Sequence, residues 1–158
     1  MGKLEKLKAK VASLGLKWPP PPRPVAKYVT ARHLSGLVSV SGMVPMVDGK
    51  PLYTGKVGRE VTLEQAQECA RQCVLNALAA LEEILQQDFE GLIGAVKLRC
   101  YVNATDDFTD HSKVADGASE LLAALLGSSG LHARVAVGCS SLPLNVPVEV
   151  EFEFQVQV

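Results

Sequence analysis

Val148-Glu149-Val150-Glu151-Phe152-Glu153-Phe154-Gln155-Val156-Gln157-Val158 alternates strictly, apolar residues on one side and Glu or Gln on the other. A strand puts successive side chains on opposite faces, so this segment predicts a strand buried on one face only. Working backwards, Leu131 to Cys139 and Leu92 to Val102 are further apolar, β-branched strands. Between them lies a helical pattern from about Phe108 to Leu126, capped by Asp107 and broken by Gly127 to Gly130. Strand, helix, strand is a βαβ unit, so those two strands should be parallel.

Upstream, Leu63, Ala66, Ala70, Cys73, Ala77, Leu81 and Leu85 mark the apolar stripe of a long helix over residues 63 to 87. Thr62, with Glu64 and Gln65 behind it, supplies its N-cap. The small residues on that stripe let the helix lie close against a sheet. Leu34-Ser35-Gly36 separates Tyr28 to Arg32 from Leu37 to Ser41 and predicts a β-hairpin, and Asp48-Gly49-Lys50 is a second turn. The order strand, strand, short strand, helix, strand, helix, strand, strand predicts an α+β domain, a mixed sheet with two helices on one face. Nothing is left to cover the other face, so a homo-oligomer is expected.

Residues 1 to 23 have a different character. Leu4, Leu7, Val11 and Leu14 recur at helical spacing among lysines, and Pro19 to Pro22 form a stiff spacer. The segment reads as an amphipathic arm and proline-rich linker, an appendage to a domain over residues 24 to 158. It is either a targeting or membrane-surface segment, or a helix packing on its own or a neighbouring subunit.

The 158 residues carry a net charge of −1. Five lysines against Glu5 give residues 1 to 18 a net +4, which leaves −5 for the rest. An acidic body with only 5% aromatic residues argues against nucleic acid as a partner. The four cysteines (Cys69, Cys73, Cys100, Cys139) form no CxxC pair and no signal peptide is evident, so free thiols, a reducing compartment and a soluble chain are expected. Cys69 and Cys73 are four apart on a helix that has no histidine, which favours core cysteines over a metal site. His33, His111 and His132 are scattered, without the context of a nucleophile. Gly55-Lys56-Val57-Gly58 is not a phosphate-binding loop.

Arg134 is the residue that suggests chemistry. With Ala133, Val135 and Val137 assigned to the core, Arg134 shares the opposite face with His132, Ala136 and Gly138. Small neighbours would leave an open lane beside a guanidinium, whose planar fork suits a carboxylate. The competing reading pairs Arg134 with a glutamate of the last strand. Glu149, Glu151 and Glu153 offer a base or a solvated face, and Pro143 and Pro147 leave open whether Glu149 stands beside Arg134.

Arg134 followed by Ser141-Leu142-Pro143-Leu144-Asn145-Val146-Pro147-Val148-Glu149-Val150-Glu151 resembles the signature end of the RidA/YjgF family. Val40-Ser41-Gly42-Met43-Val44-Pro45, the upstream Tyr28, and Val102-Asn103-Ala104-Thr105-Asp106-Asp107-Phe108 extend the resemblance in the right order over residues 24 to 158. It implies a chorismate-mutase-like homotrimer with pockets at the subunit junctions, hydrolysing reactive 2-imino acids derived from 2-aminoacrylate to 2-oxo acids and ammonia. Arg134 would hold the substrate carboxylate and Glu149 would position or activate water. Tyr28, Ser41, Gly42 and Asp106 would line the pocket. No metal or organic cofactor is implied, because an imine is already electrophilic. Cytoplasmic or mitochondrial location is expected. Two other readings stay beside this one: an endoribonuclease of the L-PSP type, and a non-catalytic trimer that binds small carboxylates. Met43 stands where the family has glutamine, Ala136 where some members have cysteine, and the arm has no counterpart, so the side-chain range of the substrate is open.

Overall fold

The computed structural model describes residues 1–158. Five strands form one sheet: β1 (Ala31–Leu34), β2 (Leu37–Met43), β5 (Leu92–Asn103), β6 (Ala133–Cys139) and β7 (Val148–Val156). Their order is β1-β2-β7-β5-β6, and β3 (Met46–Val47) and β4 (Lys50–Pro51) make a separate small hairpin. β5 and β6 run parallel, as the βαβ reading requires, and the remaining pairs are antiparallel. The two hairpin turns lie where the sequence places them. Ser35 and Gly36 in the first, and Asp48 and Gly49 in the second, all have positive φ, the requirement of a two-residue hairpin loop.

Helix α2 (Leu63–Ile84) opens on a reciprocal cap, with the Gln65 amide donating to Thr62 Oγ1 and the Thr62 amide donating to Gln65 Oε1. Helix α3 (His111–Leu126) starts later than the sequence suggests. Phe108 is spent on a turn instead, its amide bonded to the Thr105 carbonyl and its ring meeting His111 edge-on. Asp107 therefore caps nothing, and the Asp110 carboxylate pairs with Lys113. The first strand also begins later, at Ala31, so Tyr28 precedes it.

Both helices cover one sheet face. Val148, Val150, Phe152, Phe154 and Val156 of β7 are buried beneath them, together with Leu98, Cys100 and Val102 of β5. Small residues bring the helices close: a Cβ at Gly117 of α3 would strike the backbone of Gln67 on α2. Burial pushes the Cys69 and Cys100 thiols up to about 12, so both sit in the core as neutral thiols.

Helix α1 (Lys3–Ser13) packs on its own chain. Leu7 and Val11 are buried members of the same core cluster. Lys8 Nζ and Trp18 Nε1 each donate to a carboxylate oxygen of Glu82, at 2.7 and 2.8 Å, and Trp18 meets Phe89 edge-on. A detached appendage does not describe this segment, because its apolar stripe completes the core instead of waiting for a partner. No helix is long and apolar enough to cross a membrane.

Candidate functional site

Strand register places the predicted site residues. Tyr101 of β5 lies between Glu149 of β7 and Val137 of β6, and Leu98 lies between Phe152 and Arg134. Leu98 and Phe152 are buried under the helices, so Arg134 is on the helix-covered face. Glu149 is on the open face. The two residues are thus separated by a strand and by the thickness of the sheet within the chain.

The faces of β6 are the reverse of the sequence expectation. Val135 and Val137 are 40% and 42% exposed on the open face, whereas Arg134 turns toward α3. No open lane adjoins the guanidinium. Nη1 donates to Asp116 Oδ1 at 2.8 Å and to Ser119 Oγ at 3.1 Å, and Nη2 donates to Ser112 Oγ at 2.6 Å. Ser112, Asp116 and Ser119 are spaced by four and three, one polar stripe along α3, and that stripe fills the space beside the small strand neighbours. Arg134 does form an ion pair, but its acid comes from α3 and not from the last strand.

The glutamates of β7 have other partners. Arg99 Nη1 reaches Glu153 at 3.1 Å, Arg99 Nε reaches Glu151 at 3.5 Å, and the Tyr101 hydroxyl donates to Glu151 at 2.9 Å. The bond to Glu151 raises the Tyr101 pKa, since ionising the phenol would lose a donor and add a second negative charge. Glu149 has no such cation. Burial, and then the neighbouring Glu151, raise its carboxyl above the usual carboxylate range. Arg99 and Tyr101 were missed in the sequence, although the alternation of Lys97, Arg99 and Tyr101 with Leu98, Cys100 and Val102 carried the signal.

Of the expected pocket residues, Gly42 is brought onto Glu149. β2 bulges between Val40 and Met43 where it meets β7, and the bulge turns Gly42 onto the Glu149 carboxyl, where any Cβ would collide with Oε1. Ser41 Oγ donates to the Val29 carbonyl at 2.6 Å and the Ser41 amide to the Thr30 carbonyl, which holds the segment after Tyr28 against the bulge. Tyr28 is half exposed there. Asp106 is exposed on the corner after β5.

That corner is braced by another residue the sequence did not single out as functional. Lys56 Nζ donates to Asn103 Oδ1 at 2.8 Å and to the Ser140 carbonyl at 2.6 Å. Asn103 in turn donates to the Val146 carbonyl at 3.2 Å. The Leu142-Pro143 turn, with Leu144 and Asn145 at positive φ, is pinned in this way above the end of β5. Because β5 lies between β6 and β7, the turn is a crossover and no two-residue loop would suffice.

A five-stranded mixed sheet with two helices on one face, and a half-buried carboxyl on the other, defines the class of protein. The family model described as "YjgF/chorismate_mutase-like, putative endoribonuclease" matches residues 8–154, and the chain belongs to that family. It is 35% identical over 144 residues to Protein TCP17 of Trypanosoma cruzi, covering 90% of this chain and 89% of that protein. It is similar to the crystal structure of Atu1372 from Agrobacterium tumefaciens, at 35% identity and TM-score 0.92 over 98% of this chain and 95% of that one. Escherichia coli TdcF, solved with bound serine, shares the fold at TM-score 0.62 and 18% identity over 87% of this chain and 94% of that one. Atu1372 matches almost the whole chain and TdcF less of it.

Proposed function

We propose that the protein is a hydrolytic deaminase of small reactive 2-imino acids, assembled as a homotrimer. The observation that carries the reading is Glu149. A half-buried carboxyl without a cation, packed against Gly42 and raised in pKa, exchanges a proton closer to neutral pH than an exposed glutamate would. The serine in TdcF, an amino acid with a carboxylate, agrees in kind with such a substrate.

Water adds to the carbon of C=N, a proton passes to nitrogen, and ammonia leaves with formation of the C=O bond. Glu149 takes the proton from the attacking water and returns it to the departing nitrogen. Tyr28, Ser41, Gly42 and Asp106 line the pocket. Arg134 holds the substrate carboxylate, and the trimer is required because Arg134 and Glu149 stand on opposite faces of one sheet: each pocket takes them from adjacent copies. Asp116 and Ser119 occupy Nη1 and Ser112 takes one N–H of Nη2, so the α3 stripe must yield before the guanidinium receives the incoming carboxylate.

Ammonia release from a freshly generated 2-imino acid tests the reading, with the Arg134→Ala variant beside the wild type and light scattering to fix the assembly. Loss of a charge-assisted contact should lower kcat/KM on the order of a hundredfold, while the trimer persists. Binding of a stable 2-oxo acid without turnover would favour the carboxylate-binding reading, and cleavage of labelled RNA would favour the endoribonuclease. A monomer, or an Arg134→Ala trimer with wild-type turnover, would sink the mechanism.

A further inference from the structure

The helix-covered side of β6 holds a serine and a histidine in one hydrogen-bonded chain. His132 Nδ1 lies 2.7 Å from the Gly130 carbonyl oxygen, which accepts only. The neutral ring is thereby assigned its proton on Nδ1, and Nε2 is left with a lone pair. Ser119 Oγ is 3.0 Å from that nitrogen, so its hydroxyl donates to it. Arg134 Nη1 donates to the same Oγ at 3.1 Å.

A hydroxyl bonded to a ring nitrogen, with the other ring nitrogen fixed by an acceptor, is the arrangement of a nucleophile, its base and an orienting group. The third position is filled here by a backbone carbonyl. We infer that Ser119 and His132 form a nucleophilic dyad that hydrolyses short-chain carboxylic esters. This activity lies on the opposite sheet face from Glu149. Its nucleophile and base come from one chain and need neither the trimer nor Glu149, although it shares Arg134 with the proposed imine site.

The step balances within the site. Ser119 Oγ bonds to the acyl carbon as its proton passes to His132 Nε2, and the tetrahedral oxyanion forms beside the Arg134 guanidinium. Collapse breaks the bond to the alcohol oxygen, which leaves with the proton from Nε2. Water, deprotonated by the same nitrogen, then adds to the acyl-serine. Ser119 departs with its proton restored, and a carboxylic acid is released. Ser119 and His132 are half-buried, β6 is an edge strand with no strand beyond it, and Leu131 beside them is 71% exposed. An acyl carbon approaching from that edge reaches Oγ, and half burial restricts the acyl group to a short one.

The full-length chain is treated with a fluorophosphonate and, separately, with p-nitrophenyl acetate. The expected result is one phosphonyl adduct, mapped to Ser119 by peptide mass, and a burst of p-nitrophenol that reaches one equivalent per subunit. Ser119→Ala should remove the adduct, and His132→Gln should slow the burst at least about a hundredfold and flatten its pH profile. If the pair only ties the Gly127–Gly130 turn to α3, the wild-type chain gives no adduct at Ser119. That result, or label on another residue, overturns the dyad, and adduct mapping on the wild type decides it even if Ser119→Ala fails to fold.

Discussion

On the helix-covered face of the sheet, Leu98, Phe152 and Phe154 are buried; on the open face the same strands present Arg99, Tyr101, Glu149, Glu151 and Glu153. The covered face is apolar at its centre, and at its β6 edge Arg134, His132 and the stripe of α3 make a polar corner. The open face is polar along β5 and β7, while Val135 and Val137 stand exposed on β6 and Leu37 on β2. The difference teaches that an edge strand beside a helix with a polar stripe can turn its arginine inward and its valines outward, as β6 does.

The largest test of this contrast is to remove part of the covered core that sequence reading set outside the domain. Deleting residues 1–18 exposes the site that Leu7 and Val11 fill, at roughly 1.5–3 kcal/mol for each buried side chain. Denaturant unfolding should show a loss of about 3–6 kcal/mol. The sequence reading implies a truncated chain of nearly unchanged stability, and that result would restore the appendage.

A smaller effect compares the faces directly. Phe152→Ala, at a site 1% exposed and stacked on Phe154, should cost about 3–5 kcal/mol. Val137→Ala on the open face should cost under about 1 kcal/mol in an isolated subunit. Equal losses in denaturant unfolding would mean that the open face is covered as firmly as the other.

The smallest effect is the pH dependence at Glu149. Its folded-state pKa is raised, first by burial and then by Glu151, so the folded state binds more protons than the unfolded chain above the ordinary carboxylate value of 4.5. Stability therefore falls as pH rises from that value through the folded pKa, and no penalty is present below it. Glu149→Gln should flatten this decline in unfolding curves collected from pH 4 to 8. A wild-type chain that gains stability over the same interval through Glu149 would reverse the assignment.

Much of this was legible in the sequence. The alternation of β7, the glycine turns and the Thr62 cap are local rules, obeyed locally. The faces of β6 were not, because period two divides Arg134, Ala136 and Gly138 from Ala133, Val135 and Val137 without saying which set points inward. Assigning the valines to the core is sound for a central strand. It fails at an edge where a helix offers Ser112, Asp116 and Ser119, and the polar stripe of α3 was the available clue. The separation of Arg134 from Glu149 depends on strand order, which spacing along the chain does not encode. Ser119 and His132 are thirteen residues apart and meet only because the helix returns to the strand that follows it.

Trp18 is the chain's single tryptophan, and it sits at the seam between the N-terminal segment and the body, bonded to Glu82, edge-on to Phe89 and with the Lys8 ammonium 5.4 Å from its ring centre. The molecule thus carries its own fluorophore at that joint. Emission from Trp18 reports release of the segment as a red shift, whereas circular dichroism follows the helices and sheet, so loosening of the seam and collapse of the whole fold are read in separate optical channels from one unlabelled sample.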